Sequence, residues 1–325
     1  MKFHCHLEAA ALQEYVEKVF GMRYTVVKVS KMEGGAQKVV YKLDCSNGFS
    51  CILYVWDLTM NYFQEEIVNH NIHAESYGSE LFESNNRFLR EHAIRTPILY
   101  DLNRDRDRYD FDYALVEYVA GQEAGGYFKY PDRKVQDKVF QQVGEMTHAM
   151  HRIQSRTYGK PNKTTPNSTQ CHLHQLYNGI KQLSYAAEHV EAIRKNQGKL
   201  LDKLYSLESK IVPRNSYGFI HGELGPNHVI VTDQLEPCLI DIEGAEFYDI
   251  EHEHSFLEMR FGEHYRRYLN LAPLDENRKL FYKFHHHLSL ISGGLKLLHR
   301  GFPDQQLARG IADHHTHCAL QFIEA

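Results

Sequence analysis

The chain has 325 residues, and its 37 Lys and Arg against 42 Asp and Glu give a formal net charge of −5. At roughly 150 residues per domain this length predicts two lobes, and the acidic balance argues against nucleic acid as the main partner. No run of ~18 apolar residues offers a membrane span, and acidic residues break the N-terminal stretch where a leader needs unbroken apolar sequence, so neither a membrane partner nor export is expected.

Taken in order, Leu7 to Phe20 places Leu7, Leu12, Tyr15, Val16 and Val19 at helical spacing, with Gly21 as a stop. Tyr24–Val29, Val39–Leu43 and Ser50–Trp56 read as three strands of an antiparallel meander. Glu33-Gly34-Gly35 turns between the first two, and residues 44–48 turn between the second and third. Residues 61–78 form an insertion that is helical in part. A clearer helix, Ser79–His92, buries Leu81, Phe82, Phe88 and Leu89. Ile98–Leu102 and Tyr113–Val119 predict a hairpin around the mixed-charge tip 103–108.

Gly121, Gly125 and Gly126 mark a change of composition near residue 120. Beyond it the pattern is mostly helical: Val135–Gln154, a loop over Ser155–Thr169, then His172–Glu188 and Ala192–Lys210. Helices near Glu263–Leu269, Glu276–Leu298 and Asp304–Ile323 close the chain. The expected fold is α+β, with an antiparallel-sheet lobe over 1–120 and a larger, mainly helical lobe over 121–325.

The chemistry concentrates in Phe219–Asp249. Val229-Ile230-Val231 and Leu239-Ile240 flank a turn-rich Thr232-Asp233-Gln234, which is a hairpin signature. Folding that hairpin back is expected to bring Glu223, His228 and Asp241 to one edge. A carboxylate that accepts a proton, a nitrogen ligand and a metal-binding Asp are the groups that phosphoryl transfer needs, because positioning and charge neutralisation supply most of that catalysis. The clusters His4-Cys5-His6, His285-His286-His287 and His314 to Cys318 are expected to be structural or superficial, since adjacent residues on a helix diverge and no spacing supplies a full zinc ligand set. The six scattered cysteines lack a Cys-x-x-Cys pair and read as free thiols of a reducing cytoplasm.

The stretch His221-Gly222-Glu223 through His228 to Ile240-Asp241 resembles the catalytic loop and metal segment of the aminoglycoside phosphotransferase-like, protein-kinase-like family. Its usual pattern is His-Gly-Asp, four residues, Asn, a hairpin, then an apolar residue and Asp. Here Glu223 stands for the catalytic Asp and His228 for the Asn, while Asp241 matches. The resemblance implies a two-lobed kinase-like fold and a Mg²⁺-dependent transfer of phosphate from ATP or GTP to a hydroxyl of a small molecule. It implies Glu223 as base, and His228 with Asp241 as Mg²⁺ ligands. The Gly34-Gly35 turn would lie over the phosphates, and Leu115 to Gly121, including Glu117 and Val119, matches the nucleotide-reading linker. The family's strand lysine falls on Tyr54, so Lys38 or Lys42 is expected to supply the charge. Glu83 falls where the family's helix offers a Glu to that lysine, and an acid placed like Glu253 packs beneath the catalytic loop.

Glu243, Glu246 and the acids that follow predict an acidic substrate region, which favours a cationic acceptor such as an aminoglycoside-like or peptide antibiotic. The competing expectation is a degenerate kinase-like protein that binds a nucleotide or ligand without transfer, given the departures at Tyr54, Glu223 and His228.

Overall fold

The computed structural model of the chain describes residues 5–32, 35–69, 76–164 and 170–324. It opens with helix α1 (Ala9–Phe20) and the meander β1 (Val26–Lys31), β2 (Val39–Cys45) and β3 (Ser50–Trp56). A short α2 (Gln64–Val68) and the longer α3 (Ser79–Glu91) precede a hairpin of β4 (Leu99–Asn103) and β5 (Asp112–Glu117), then β6 (Gly121–Glu123). Helix α4 (Arg133–His151) follows. Three two-residue strands, β7 (Gln154–Ser155), β8 (Gly159–Lys160) and β9 (Lys163–Thr164), occupy the region expected to be a loop.

Helices α5 (His172–His189) and α6 (Glu191–Glu208) lead into β10 (Tyr217–Ile220), the hairpin β11 (Val229–Thr232) and β12 (Pro237–Leu239), and β13 (Glu246–Tyr248). Helix α7 (Ile250–Phe261), a π turn over Tyr265–Leu269, α8 (Glu276–His299) and α9 (Gln305–Glu324) complete it. Among the described residues no helix is long and apolar enough to cross a membrane.

The chain divides into two units. The first runs to Gln122 and takes in Ile230–Gln234 and Cys238–Glu243; the second holds Glu123–Val229, Leu235–Pro237 and the chain from Gly244 onward. The first unit is built on a five-stranded sheet in the order β1-β2-β3-β5-β4, antiparallel at every pairing. β3 is its centre, and all but its first residue are buried. The reason is that both faces are covered. Leu53 and Val55 join Leu12, Tyr15 and Val16 of α1 in one apolar cluster. The alternate residues Tyr54 and Trp56 point the other way and meet Phe82 of α3 at ring distances of 5.3 and 5.7 Å.

The second unit combines a five-stranded sheet, β7-β10-β13-β8-β9, with the helices from α4 onward. Helix α7 is absent from the sequence expectations. Residues 251–257 within it are all buried, so it shows no polar face and no amphipathic period to read. Its acids are neutralised internally. Asp249 accepts from Arg278 Nη1 at 2.6 Å and from the Tyr282 hydroxyl at 2.5 Å, and Glu251 accepts from Arg214 Nη2 at 2.9 Å. Asp275 caps α8 through the amides of Asn277 and Arg278 at 3.0 and 3.2 Å, a contact worth about 1 kcal/mol.

Candidate active site

In the first unit the site is built around Lys38, which lies immediately before β2. Strand parity puts it on the Tyr54 face of the sheet, because Val40 pairs with Tyr54 and residues two apart share a face. Its ammonium reaches Asp241 Oδ1 at 2.6 Å and Glu243 Oε1 at 2.7 Å, and sits 5.0 Å from the Tyr54 ring centroid. Burial alone would push the Lys38 pKa down. The two carboxylates outweigh it and hold the group above the usual lysine value, so it is charged. Tyr54 is buried and its phenol is pushed up by that burial, so it is a neutral platform under the cation.

The two carboxylates differ. Glu243 is buried, and besides Lys38 it accepts from Trp56 Nε1 at 3.2 Å. Asn85 of α3 donates to the backbone oxygens of Ile242 and Glu243 at 2.8 and 3.1 Å, which fixes that segment. Glu243 thus braces the lysine. Asp241 is 47% exposed at its side chain and sits at φ +60, in the left-handed region that Asp tolerates better than most residues. Sparsely populated backbone of this kind collects at functional sites.

The remaining first-unit candidates lie elsewhere on the sheet. Lys42 pairs with Asp44 at 3.0 Å and lies over Tyr118 at 4.3 Å, so it is not the partner of Asp241. Glu83 pairs with Arg104 at 2.9 Å, so the lysine–glutamate pair of this protein is Lys38 with Glu243 instead of one from α3. Glu117 ends β5, accepting from the Ile98 amide at 3.1 Å, and Val119 follows it, half-buried. Gly35 turns at φ +50, where a Cβ would come 2.6 Å from the Lys38 carbonyl oxygen; only glycine permits that turn. Gly34 lies outside the described residues.

In the second unit the loop from His221 to His228 is clamped by the buried Glu253 of α7. Glu253 accepts from the amides of His221 and Gly222 at 3.1 and 2.9 Å and lies 2.8 Å from His151 Nε2. Burial opposes its ionisation, but the His151 contact and the loop amides prevail and hold its pKa below the usual value. Gly222 turns the chain at φ +93, which accounts for the His-Gly pair in the sequence. The clamp leaves Glu223 exposed at the tip of a backbone that is itself fixed.

A short turn over Pro226–His228 then places the His228 Nδ1 2.7 Å from the Glu223 carbonyl oxygen. That contact makes Nδ1–H the donor and gives Nε2 the lone pair, the form in which imidazole ligates a metal. Arg260 of α7 donates to Asn227 Oδ1 at 2.7 Å, and its charge is felt by Glu223. Asn227 and Arg260 are not singled out by the sequence, where nothing ties a lone Arg in α7 to the loop. Glu246 lies on β13 opposite Ile220, half-buried.

Taken each within its own unit, the exposed Asp241 carboxylate and the His228 imidazole are group types that ligate divalent cations, though Mg²⁺ favours oxygen and the nitrogen is its weaker donor. Two histidines of the His285-His286-His287 cluster, expected to be structural or superficial, meet a third, His252, at one point. His252, His285 and His286 are buried and bring their ligand atoms within 4.8 Å of one another, the only such trio among the described residues. Burial lowers the pKa of all three, so they form a neutral core cluster.

Comparison with known proteins supplies the family. A model of the phosphotransferase enzyme family matches residues 81–275, more than half of the chain. No curated protein sequence matches. Among solved structures, a thermostable mutant of aminoglycoside phosphotransferase APH(4)-Ia with ADP and hygromycin B is 16% identical at a TM-score of 0.62, covering 94% of this chain and 98% of that one. Spectinomycin phosphotransferase APH(9)-Ia, with ADP and spectinomycin, is 14% identical at 0.64, covering 99% and 100%. Choline kinase LicA from Streptococcus pneumoniae is 12% identical at 0.62, covering 97% and 98%. At these identities the structures establish the fold, which is protein-kinase-like, and the matched model establishes the family. The chain belongs to the phosphotransferase enzyme family and is a small-molecule kinase.

Proposed function

We propose that the protein transfers the γ-phosphate of ATP or GTP to a hydroxyl of a small molecule, in a Mg²⁺-dependent reaction in the cytoplasm. The observation that carries this reading is the loop from His221 to His228, whose backbone is held by buried Glu253 while Glu223 stays exposed. The acceptor oxygen attacks the γ-phosphorus, Glu223 takes the hydroxyl proton, and the bond to the β–γ bridging oxygen breaks to release the nucleoside diphosphate. Asp241 and His228 are assigned to Mg²⁺, which when bound neutralises phosphate charge. Lys38 holds Asp241 in place and adds positive charge beside it. Gly35, Glu117 and Val119 are assigned to nucleotide binding, with the turn at Gly35 over the phosphates.

Glu is one methylene longer than the Asp of the usual pattern, and misplacement by ~1 Å can cost ~10²-fold in rate. A loop fixed by Glu253 and re-shaped by Gly225-Pro226 supports the longer side chain as a working base. The test is radiolabelled phosphate transfer from ATP and from GTP to a panel of hydroxylated acceptors, alongside melting with Mg²⁺ and nucleotide together. Transfer that depends on Mg²⁺ supports the proposal. Nucleotide binding with no transfer to any acceptor would instead establish a degenerate binding protein.

The ground for a cationic, antibiotic-like acceptor is weakened by the structure. Glu243, Asp249, Glu251 and Glu253 are buried and paired with Lys38, Arg278, Arg214 and His151, which leaves half-buried Glu246 and exposed Glu263 as the acids of that run open to a ligand.

A further inference from the structure

The second unit contains a cavity of about 750 Å³ between α6, α7, α8 and α9, within the range that small-molecule sites occupy. Its walls are apolar on one part, with Met259, Leu280, Leu290, Ile311 and Phe322. Its charged lining is all positive: Lys203, Arg260 and Lys283, with no carboxylate among the lining residues. One acid lies close by, since Glu258 approaches Lys283 at 3.6 Å while also serving Lys279 at 3.4 Å. The cavity therefore keeps a net positive lining.

Two of its histidines, His287 and His315, add hydrogen-bonding groups without charge. His287 and His315 bring their Nδ1 atoms to 2.9 Å of each other, so one donates and the other accepts. Burial first, and then neighbouring positive groups, push their pKa values down to about 3 and about 4. Arg260 links this cavity to the chemistry. It lines the wall, donates to Asn227 in the loop that carries Glu223, and feels the Glu223 charge.

We infer that this cavity holds the phosphate acceptor of the reaction proposed above, and that the acceptor is an anionic hydroxylated molecule with an apolar body. A carboxylate or similar oxyanion would sit against Lys203 and Lys283, the apolar part against Leu290 and Phe322, and the hydroxyl would be offered toward the Arg260 end. A polycation would meet three like charges there and no counter-charge in the lining. This inference rests on the transfer reading only for the word acceptor; the charge preference stands or falls separately.

The test uses three probes with one skeleton and one reacting hydroxyl: 4-(hydroxymethyl)benzoate, 1,4-benzenedimethanol and 4-(hydroxymethyl)benzylamine. Binding to the full chain is measured by calorimetry with Mg²⁺ and a non-hydrolysable nucleotide present, and transfer by labelled ATP. The carboxylate should bind about tenfold or more tightly than the neutral diol and more tightly still than the amine. Lys203→Gln with Lys283→Gln should erase that order, and Lys203→Glu should shift it toward the amine, while the affinity for Mg-nucleotide stays at the wild-type value.

Equal or tighter binding of the amine, an order unchanged in the variants, or binding of none of the three overturns the inference. Transfer to the neutral or amine probe in preference to the carboxylate would overturn the charge assignment and leave the kinase reading intact. Selective binding of the carboxylate without transfer to any acceptor would uphold the charge assignment and remove the kinase reading.

Discussion

Replacing Lys38 with methionine tests the core of the first-unit site, because length and apolar volume are kept while the charge is lost. Lys38 separates Asp241 and Glu243, with Nζ at 2.6 and 2.7 Å from their oxygens. Breaking a buried ion pair by removing one partner costs ~3–5 kcal/mol. Asp241 is 47% exposed and regains water, so its part is screened. Glu243 is buried and keeps only part of its partners, the Trp56 indole among them, so it sets most of the cost. The lower end of the range, about 3 kcal/mol, follows, or a fall in melting temperature of roughly 10 °C for a unit of this size.

Lys42→Met is the control. Its pair with Asp44 is partly solvated, so the loss should stay under about 1 kcal/mol. Adding Glu243→Gln to Lys38→Met should recover much of the stability in a double-mutant cycle. Nucleotide KM should rise in Lys38→Met and not in Lys42→Met. Wild-type melting and KM in Lys38→Met, or equal effects of both lysines, would refute the assignment.

Three further outcomes are expected. Glu223→Gln should keep nucleotide affinity and melting while kcat falls ~10²–10⁴-fold, and turnover at the wild-type rate would remove Glu223 as the base. Asp241→Asn should fold, since Asn also tolerates φ +60, yet lose Mg²⁺-dependent nucleotide binding as seen by calorimetry; retained binding would move the metal elsewhere. Acid should destabilise the second unit: burial holds His286 at about 4 in the folded state, below its unfolded value, so its contribution is complete above pH ~6.5 and is lost as pH falls toward 4, ~2 kcal/mol by pH 5. His286→Asn should flatten the urea midpoint between pH 7.5 and 5, and an unchanged slope would count against this origin.

Much of the first unit was legible because its strands repeat at the period the sheet imposes. Ser50–Trp56 was read to its boundaries, and the alternation of Leu53 and Val55 against Tyr54 and Trp56 matches its two covered faces. The catalytic loop was legible from its glycine, since Gly222 must turn at positive φ just before Glu223. Strand parity is the signal that groups Lys38 with Tyr54 on one face, but parity alone places Lys42 on the same face. Which lysine meets Asp241 depends on the Gly35 turn, a backbone feature with no periodicity to read.

The acids after Asp241 show where sequence reading fails. Exposed charge and buried charge look alike in one dimension, and a run from Glu243 to Glu263 reads as an acidic surface. In the fold, Asp249 is fully buried and answered by Arg278, a residue 29 positions away in α8. Glu253 is answered by His151, 102 positions away in α4. A buried carboxylate is stable only with such a partner, and the partner's distance along the chain hides the pairing. The charges that remain to meet a ligand are then those without a carboxylate opposite them in the wall. In the second unit's cavity these are cationic, so the acceptor charge proposed above is negative, the reverse of the cation that the acidic run in the sequence suggests.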